Sequence, residues 1–460
     1  MTNANIHIPE PVKTALSALR KNGFEAYIIG GCVRDSLLGQ TPKDYDITTS
    51  ALPEETENVF KGFRVIETGM KHGTITVLIE RMPIEITTYR IDSTYSDNRR
   101  PDSVTFTKSL FEDTARRDFT MNAVAIDENG DIADFHDGVK DIKAKMIRCV
   151  GDPDKRFGED ALRILRAVRF SSVLGFDIEE NTKQAIFRNK ELLKNISSER
   201  IASELVKLLC GQNARSIICE FIDVLGVFLP ELLPMKGFDQ KNPHHIYNIL
   251  EHTAVAVENA PPEPILRLAA LLHDAGKPQT FSEKDGIGHF YGHAQISAEI
   301  TNSVLRRLKF DNNTRLTVTT LVRLHDGQIE ESEKAVKRFM RKNTSEIFFL
   351  VLQLKRADNL AQAPECFIRT EHLDRLRAIG EEILNRKECF SLKSLEINGS
   401  DLIGIGFRPG KEIGNCLNEI LDKVVEGTLE NDKTLLLKFA EEYKKTAQSN
   451  NDLTANLSKK

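Results

Sequence analysis

From Tyr27 to Ser50 the chain reads YIIGGCVRDSLLGQTPKDYDITTS. Its two nearby carboxylates, Asp44 and Asp46, fall in DYDITT, a stretch with strand character. Side chains alternate along a strand, so Asp44 and Asp46 share one face while Tyr45 and Ile47 pack behind them. Aspartate is disfavoured in strands, and two on one face repel unless a cation sits between them. A pair of magnesium ions fills that role in two-metal phosphoryl and nucleotidyl transfer. A solvated edge strand with two harmless acids has the same spacing, so the pair alone leaves both readings open. The residues before it tilt toward chemistry. Gly30 and Gly31 end an apolar strand and precede a short helix, Cys32 to Leu38. Free backbone amides at such a start can cradle phosphate oxygens, with Arg34 one turn in to add charge.

Two further stretches supply charge. IEITTYR, Ile84 to Arg90, alternates again and sets Glu85 on a strand. There it is equally a third carboxylate for Asp44 and Asp46 or a surface glutamate. ARRDFTMNA, Ala115 to Ala123, brings Arg117 and Asp118 beside an apolar strand, either to hold a ribose hydroxyl and phosphates or as a plain salt bridge.

The elements that must position these groups follow from pattern. AYIIGG, DYDITT, TITVLI, PIEITTYR, DSVTFT and AVAID read as strands, all before Val139. From Lys140 the periodicity is helical, and the next strand-like segment is the late SLEING. At 460 residues several domains are expected. The divisions fall at 1–139, a mixed head; 140–225, a helical neck; 226–365, a histidine-rich helical part; and 366–460, a helical end. The last residues, QSNNDLTANLSKK, are polar and expected to fray. The seven cysteines include no close pair, which argues against a disulfide framework or zinc knuckle and for a reducing cytoplasm. No apolar run is long enough for a bilayer, and the N-terminus lacks the regions of a signal peptide. A net charge of −5 argues against coating nucleic acid indiscriminately but leaves room for a basic surface gripping one RNA.

GGCVRD, DYD, RRDFTMNA, GEDALRILRAVRF and SERIASEL, in this order, resemble the class II tRNA nucleotidyltransferase and bacterial poly(A) polymerase family. The resemblance implies an α+β fold: a polymerase-beta-like palm, then an all-helical neck, body and tail. It implies Asp44 and Asp46 as metal-binding catalysts with Mg2+, and CTP, ATP and the tRNA acceptor stem and 3′ end as partners, with no DNA and no membrane. Within that frame Glu85 joins the catalytic acids, while Gly30, Gly31, Arg34, Arg117 and Asp118 hold the triphosphate and sugar.

The same frame gives GEDALRILRAVRF a meaning. Read as one helix, it makes Asp160 and Arg163 i,i+3 neighbours with their heads side by side. A surface ion pair has that spacing too. As a template, the carboxylate accepts from the exocyclic amine of cytosine or adenine, and the guanidinium donates to the adjacent ring acceptor. Uracil and guanine set a carbonyl against the carboxylate, and a buried unmatched acceptor costs on the order of 1–3 kcal/mol. Arg166 and Arg169 continue the face toward phosphate or primer. The polar segment between Tyr89 and Phe106, with Arg90, Arg99 and Arg100, suits the loop tied in this family to the switch from C to A. Full CCA addition is the expected product; CC-only, A-only and poly(A) synthesis are the alternatives within the family.

A second constellation lies downstream. Adjacent His273 and Asp274 read as lying inside an apolar helix, with His252, His293, His325 and Asp358 on other helices, and HDAGKP resembles the HD phosphohydrolase pattern. Imidazole plus carboxylate suits a divalent transition metal. His252, His273, Asp274 and Asp358 form one ligand set, with His293 and His325 for a second metal. A helical body with structural histidines is the plainer alternative. The competing function class is therefore a metal phosphohydrolase acting on cyclic phosphates or nucleotides.

Overall fold

The computed structural model describes residues 7–70, 73–92, 104–386 and 388–457. Two compact units are present. One runs to Lys236 and includes Val304–Phe310; the other comprises Gly237–Ser303 and the residues from Asp311 onward.

The first unit holds a seven-stranded mixed sheet. Its strands are β1 (Ala26–Ile29), β2 (Asp46–Thr49), β3 (Arg64–Gly69), β4 (Thr74–Ile79) and β5 (Met82–Thr88). A separate ribbon, β6 (Arg90–Asp92) with β7 (Val104–Phe106), comes next, then β8 (Ala125–Ile126) and β9 (Ile132–Ala133) complete the sheet. The order is β3-β4-β5-β2-β1-β8-β9. β1 is antiparallel to β2 and β8, whereas β2 and β5 run parallel. The Glu10–Lys21 helix buries Val12, Ala15, Leu16 and Leu19, a single stripe at helical spacing, and packs on β1. In β5 buried Ile84 and Ile86 flank exposed Glu85, the alternation expected of a half-covered strand.

Helices follow, led by Pro153–Glu159, Leu162–Leu174, Glu180–Asn189 and Ser198–Leu209. The Leu162–Leu174 helix packs against Ser198–Leu209 and buries Ile164, Leu165, Val168 and Phe170. The second unit is a helical bundle built on Ile249–Asn259, Pro264–Leu272, Asn312–Leu324, Ser345–Asn359 and Arg369–Asn385. The α+β class is thus observed: mixed sheet first, helices after.

Several local expectations are corrected. RVIETG forms strand β3, hidden in the sequence because it is an irregular edge strand with a register shift between Ile66 and Gly69 and charged residues along it. SLEING is not a strand. Leu395 and Ile397 are buried anchors leading into a helix that Asn398 caps, and their alternation mimics a strand. Short strand pairs do follow Lys140, Met146–Ile147 with Asp177–Ile178 and Ser282–Lys284 with Ile287–His289. The expected frayed end is helical through Leu457. Arg99 and Arg100 lie outside the described residues.

Candidate functional site

In the first unit the carboxylates meet at the β2–β5 seam. β2 begins at Asp46, so Asp44 lies just before the strand rather than in it. The alternation nevertheless holds: Asp44 and Asp46 are exposed, Tyr45 and Ile47 buried. Asp46 is the register partner of Glu85, which is also exposed, so two carboxylates stand side by side across parallel strands. Although it reaches solvent, partial desolvation pushes the Asp46 carboxyl up to about 6, reinforced by Glu85 and Asp44 and opposed by Arg117. Asp44, Asp46 and Glu85 share one exposed side, with Asp46 held toward protonation; carboxylate oxygens are the donors a hard divalent cation takes, though these three are not drawn together within 4.8 Å.

Gly30 holds a backbone conformation that L-residues rarely adopt. It caps the Gly31–Leu37 helix with φ +92, and a Cβ there would lie 3.4 Å from Arg117 Nη1 and 3.7 Å from Asp46 Oδ2. The glycine thus sits where the cationic and anionic arms approach. A Cβ on Gly31 would meet Arg34 Nη2 at 3.5 Å. Arg34 is buried; it donates to Asp35 and, at 2.9 Å, to Asn122 Oδ1, and lies over the Phe170 ring at 5.1 Å.

Arg117 and Asp118 do not pair with each other. Arg117 approaches buried Asp113 at 3.7 Å and donates to the Asn122 carbonyl at 3.4 Å. Asp118 accepts from Arg166 Nε at 2.8 Å, from Asn122 Nδ2 at 3.2 Å and from the Phe119 amide. Burial would raise its carboxyl, but the charge and hydrogen bonds of Arg166, with Arg163 and Asn122, hold it at about 2. Asn122, which links Arg34 to Asp118, was passed over in the sequence although it lies within RRDFTMN. Phe170 was missed as well; Arg34, Arg166 and Arg169 all lie over its ring.

The expected Asp160–Arg163 pair is not formed. The Pro153–Glu159 helix stops at Asp160, whose φ −133 and ψ 102 are extended, and a new helix begins at Leu162. Asp160 accepts from the Leu162 amide at 3.1 Å and from Arg200 Nη2 at 2.9 Å. Arg163 instead meets Glu159 at 2.7 Å and donates to the carbonyls of Arg156 and Arg116. Arg169 pairs with Glu204 at 2.6 Å. Asp160 and Arg163 nevertheless line one open cavity of about 240 Å3 together with Arg116, Arg117, Asp118 and Arg166.

In the second unit the histidines converge. His252 comes from the Ile249–Asn259 helix, while His273 and His325 directly follow the Pro264–Leu272 and Asn312–Leu324 helices. The last carbonyls of a helix lack intrahelical partners. Ala270 and Val322 offer such carbonyls, and accept from Nδ1 of His273 at 2.8 Å and of His325 at 2.6 Å. His252 and His293 are held likewise by Ala361 and Phe290. A carbonyl can only accept, so each Nδ1 carries the proton and each Nε2 turns a lone pair inward. The Nε2 atoms then face each other in pairs, His252 with His273 at 3.3 Å and His293 with His325 at 3.2 Å. Facing lone pairs demand a cation or an added proton between them.

Asp274 lies between the pairs. Its Oδ2 is 3.4 and 3.2 Å from the first pair, and its Oδ1 is 3.4 and 3.8 Å from the second. Asp358 Oδ1 adds to the first set, 3.0 Å from His252. Oδ2 of Asp274 is buried without a well-aligned hydrogen bond, although Lys277 Nζ lies 2.7 Å away. Burial would lower His273, but Asp274 and Asp358 overcome it and push the imidazole up to about 10, a proton standing where a cation would. Among the described residues, the two sets of three ligands gathered within 4.8 Å are these, His252–His273–Asp274 and Asp274–His293–His325. Lys277, not singled out in the sequence, and His245, whose ring lies 5.1 Å from that of His252, complete the surroundings.

Comparison with known proteins decides the family. Residues 26–148 match the Poly A polymerase head domain, 175–234 the probable RNA and SrmB-binding site of polymerase A, and 280–440 the putative tRNA nucleotidyltransferase domain 2. A CCA-adding enzyme of Lactobacillus helveticus is 39% identical over 93% of this chain and 95% of its own. One of Enterococcus faecalis is 35% identical over 95% and 97%. The chain belongs to the CCA-adding enzyme family. A solved Bacillus stearothermophilus CCA-adding enzyme in complex with CTP is 31% identical, with a TM-score of 0.71 over 96% of this chain and 100% of that one. The chain is accordingly a nucleotidyltransferase, and the family implies a divalent metal. Among the described residues, no helix is long and apolar enough to cross a membrane.

Proposed function

We propose that this protein completes the tRNA 3′ end with CCA, without a nucleic-acid template, from CTP and ATP. The observation that carries the reading is the register pairing of Asp46 with Glu85, with Asp44 on the same exposed side and Gly30 bringing Arg117 close. The L. helveticus relative, named for CCA addition and similar across nearly the whole chain, supports the product. Residues 1–139 serve as head, 140–225 as the neck that reads base and RNA, 226–365 as an HD-type domain and 366–460 as the RNA-binding end, in a cytoplasmic enzyme.

Asp44, Asp46 and Glu85 would hold Mg2+, which when bound lowers the pKa of the RNA 3′ hydroxyl and steadies the departing pyrophosphate. The hydroxyl attacks the α-phosphorus of CTP or ATP in line. Gly30 and Gly31 let the backbone approach the triphosphate, and Arg34 and Arg117 add cationic charge beside it. Asp160 at its helix break presents a carboxylate to the exocyclic amine of C or A. Arg163 donates beside it, its guanidinium oriented by Glu159 and two carbonyls. Asp118 fixes Arg166, and Glu204 fixes Arg169, so both stay charged at the edge of the site. The test is to supply tRNA lacking its 3′ end with both nucleotides and sequence the product ends. Termination at CCA supports the reading; termination at CC or at a lone A, or a long A tract, assigns another member of the family.

A second activity in the same chain is favoured by the inward-facing Nε2 pairs around Asp274. His252, His273, Asp274 and Asp358 would hold one divalent transition metal and His293 and His325 a second. Such a centre activates water for hydrolysis of a phosphoester, with cyclic phosphates or nucleotides as substrates.

A further inference from the structure

A cavity of about 780 Å3 borders the histidine cluster, and His325 and Asp358 form part of its wall. A smaller one of about 280 Å3 shares His325, Asp326, Asp358 and Gln362 with it. The larger lies well inside the roughly 300–1,000 Å3 typical of small-molecule sites. Ile329, Leu373 and Leu376 give it an apolar wall suited to a base, while Gln328 and Asn359 add amides.

Lys355 is the informative residue. It precedes Asp358 by three positions on the Ser345–Asn359 helix, so the two side chains leave the same helical face. Its ammonium is half-buried on the cavity wall, yet it makes no hydrogen bond or ion pair among the described residues. Burial pushes its pKa down against the pull of Asp358 and Asp326. Asp358 and Asp326 attract it without forming an ion pair, and Glu330 lines the same wall, so a half-buried ammonium with no direct contact keeps its donors free for an incoming anion. Arg369 lines the same wall, oriented by a 2.8 Å hydrogen bond from its Nη1 to Gln362.

We propose that this cavity receives the nucleoside side of a substrate bound at the histidine cluster, and that Lys355 with Arg369 binds a second phosphate beyond the one at the cluster. The ligand is therefore a ribonucleoside carrying phosphates on both sides. This rests on the metal-centre reading of the cluster and extends it to a substrate class.

The experiment is calorimetric titration of the full-length protein, as purified, with adenosine 3′,5′-bisphosphate and with adenosine 5′-monophosphate. Lys355→Gln weakens the bisphosphate by about tenfold or more and leaves the monophosphate within about twofold, as loss of one charge-assisted contact requires. Lys355→Arg keeps the bisphosphate within about threefold, which shows that charge rather than packing is lost. Because each comparison is with the native chain, binding at the first-unit site cancels. Equal binding of the bisphosphate by native protein and Lys355→Gln, or equal weakening of both ligands, overturns the subsite. Metal content, measured in the native protein and in His273→Ala, judges the underlying reading separately: a metal-free native protein sinks the metal centre, whatever Lys355→Gln shows.

Discussion

The two polar centres solve the problem of like charge in opposite ways. At the β2–β5 seam the acids stand exposed on an open face, and the nearest cationic groups belong to a guanidinium network with other partners. In the helical unit the donors are buried, and each imidazole is locked by a backbone carbonyl before any ion arrives. The first arrangement suits cations that come and go with a triphosphate. The second suits a resident ion, since the cost of gathering the ligands is met in folding.

The sharpest way to break that contrast is Asp46→Ala. Nucleotide addition should fall on the order of 10³-fold, the scale of losing a main electrostatic group, while the metal content of the purified chain stays unchanged. Addition that survived would remove the assigned catalyst. Next in size, His273→Ala should empty the first metal position and leave nucleotide addition within about twofold. Elemental analysis beside a tRNA labelling assay reads both, and a joint loss would mean that the centres are not independent.

Asp160→Ala should raise incorporation of U and G by roughly ten- to hundredfold, the range set by an unmatched buried acceptor. Because Asp160 also caps Leu162 and pairs with Arg200, a stability loss of about 1 kcal/mol should accompany it in a denaturant melt. Unchanged fidelity would discard the protein template. The smallest effect is in pH. Asp46 is held near 6, so its protonated share grows as pH falls through that value, and the protonated form is a poor ligand. The Mg2+ concentration for half-maximal addition should therefore rise severalfold between pH 7 and pH 5.5; a flat requirement would detach Asp46 from the metal.

Legibility in the sequence followed the range of the forces involved. Strand alternation is local, so the exposure of Asp44, Asp46 and Glu85 could be read directly, even though β2 starts two residues later than expected. The histidine cluster was readable because HDAGKP is a compact motif and most of the 11 histidines fall between His244 and His325. The helix break at Asp160 was not readable. DALRIL continues a helical pattern, and what interrupts it is tertiary: Arg200 draws the carboxylate one way, while carbonyls of Arg116 and Arg156 draw Arg163 another. Phe170 carried no signal beyond an apolar side chain; it is buried, and three arginines lie over its ring. Lys355 carried no motif at all; only the cavity beside it gives it meaning.

The absent side chain of Gly30 has a consequence for the enzyme's freedom to vary. One added carbon would find room beside the Arg117 guanidinium and the Asp46 carboxylate, but it would sit on a backbone turn that L-residues resist. Its backbone closes this position to tuning by small steps, whereas the helix interruption stays open to it, since a swivel of one residue there would turn the Asp160 carboxylate toward another side.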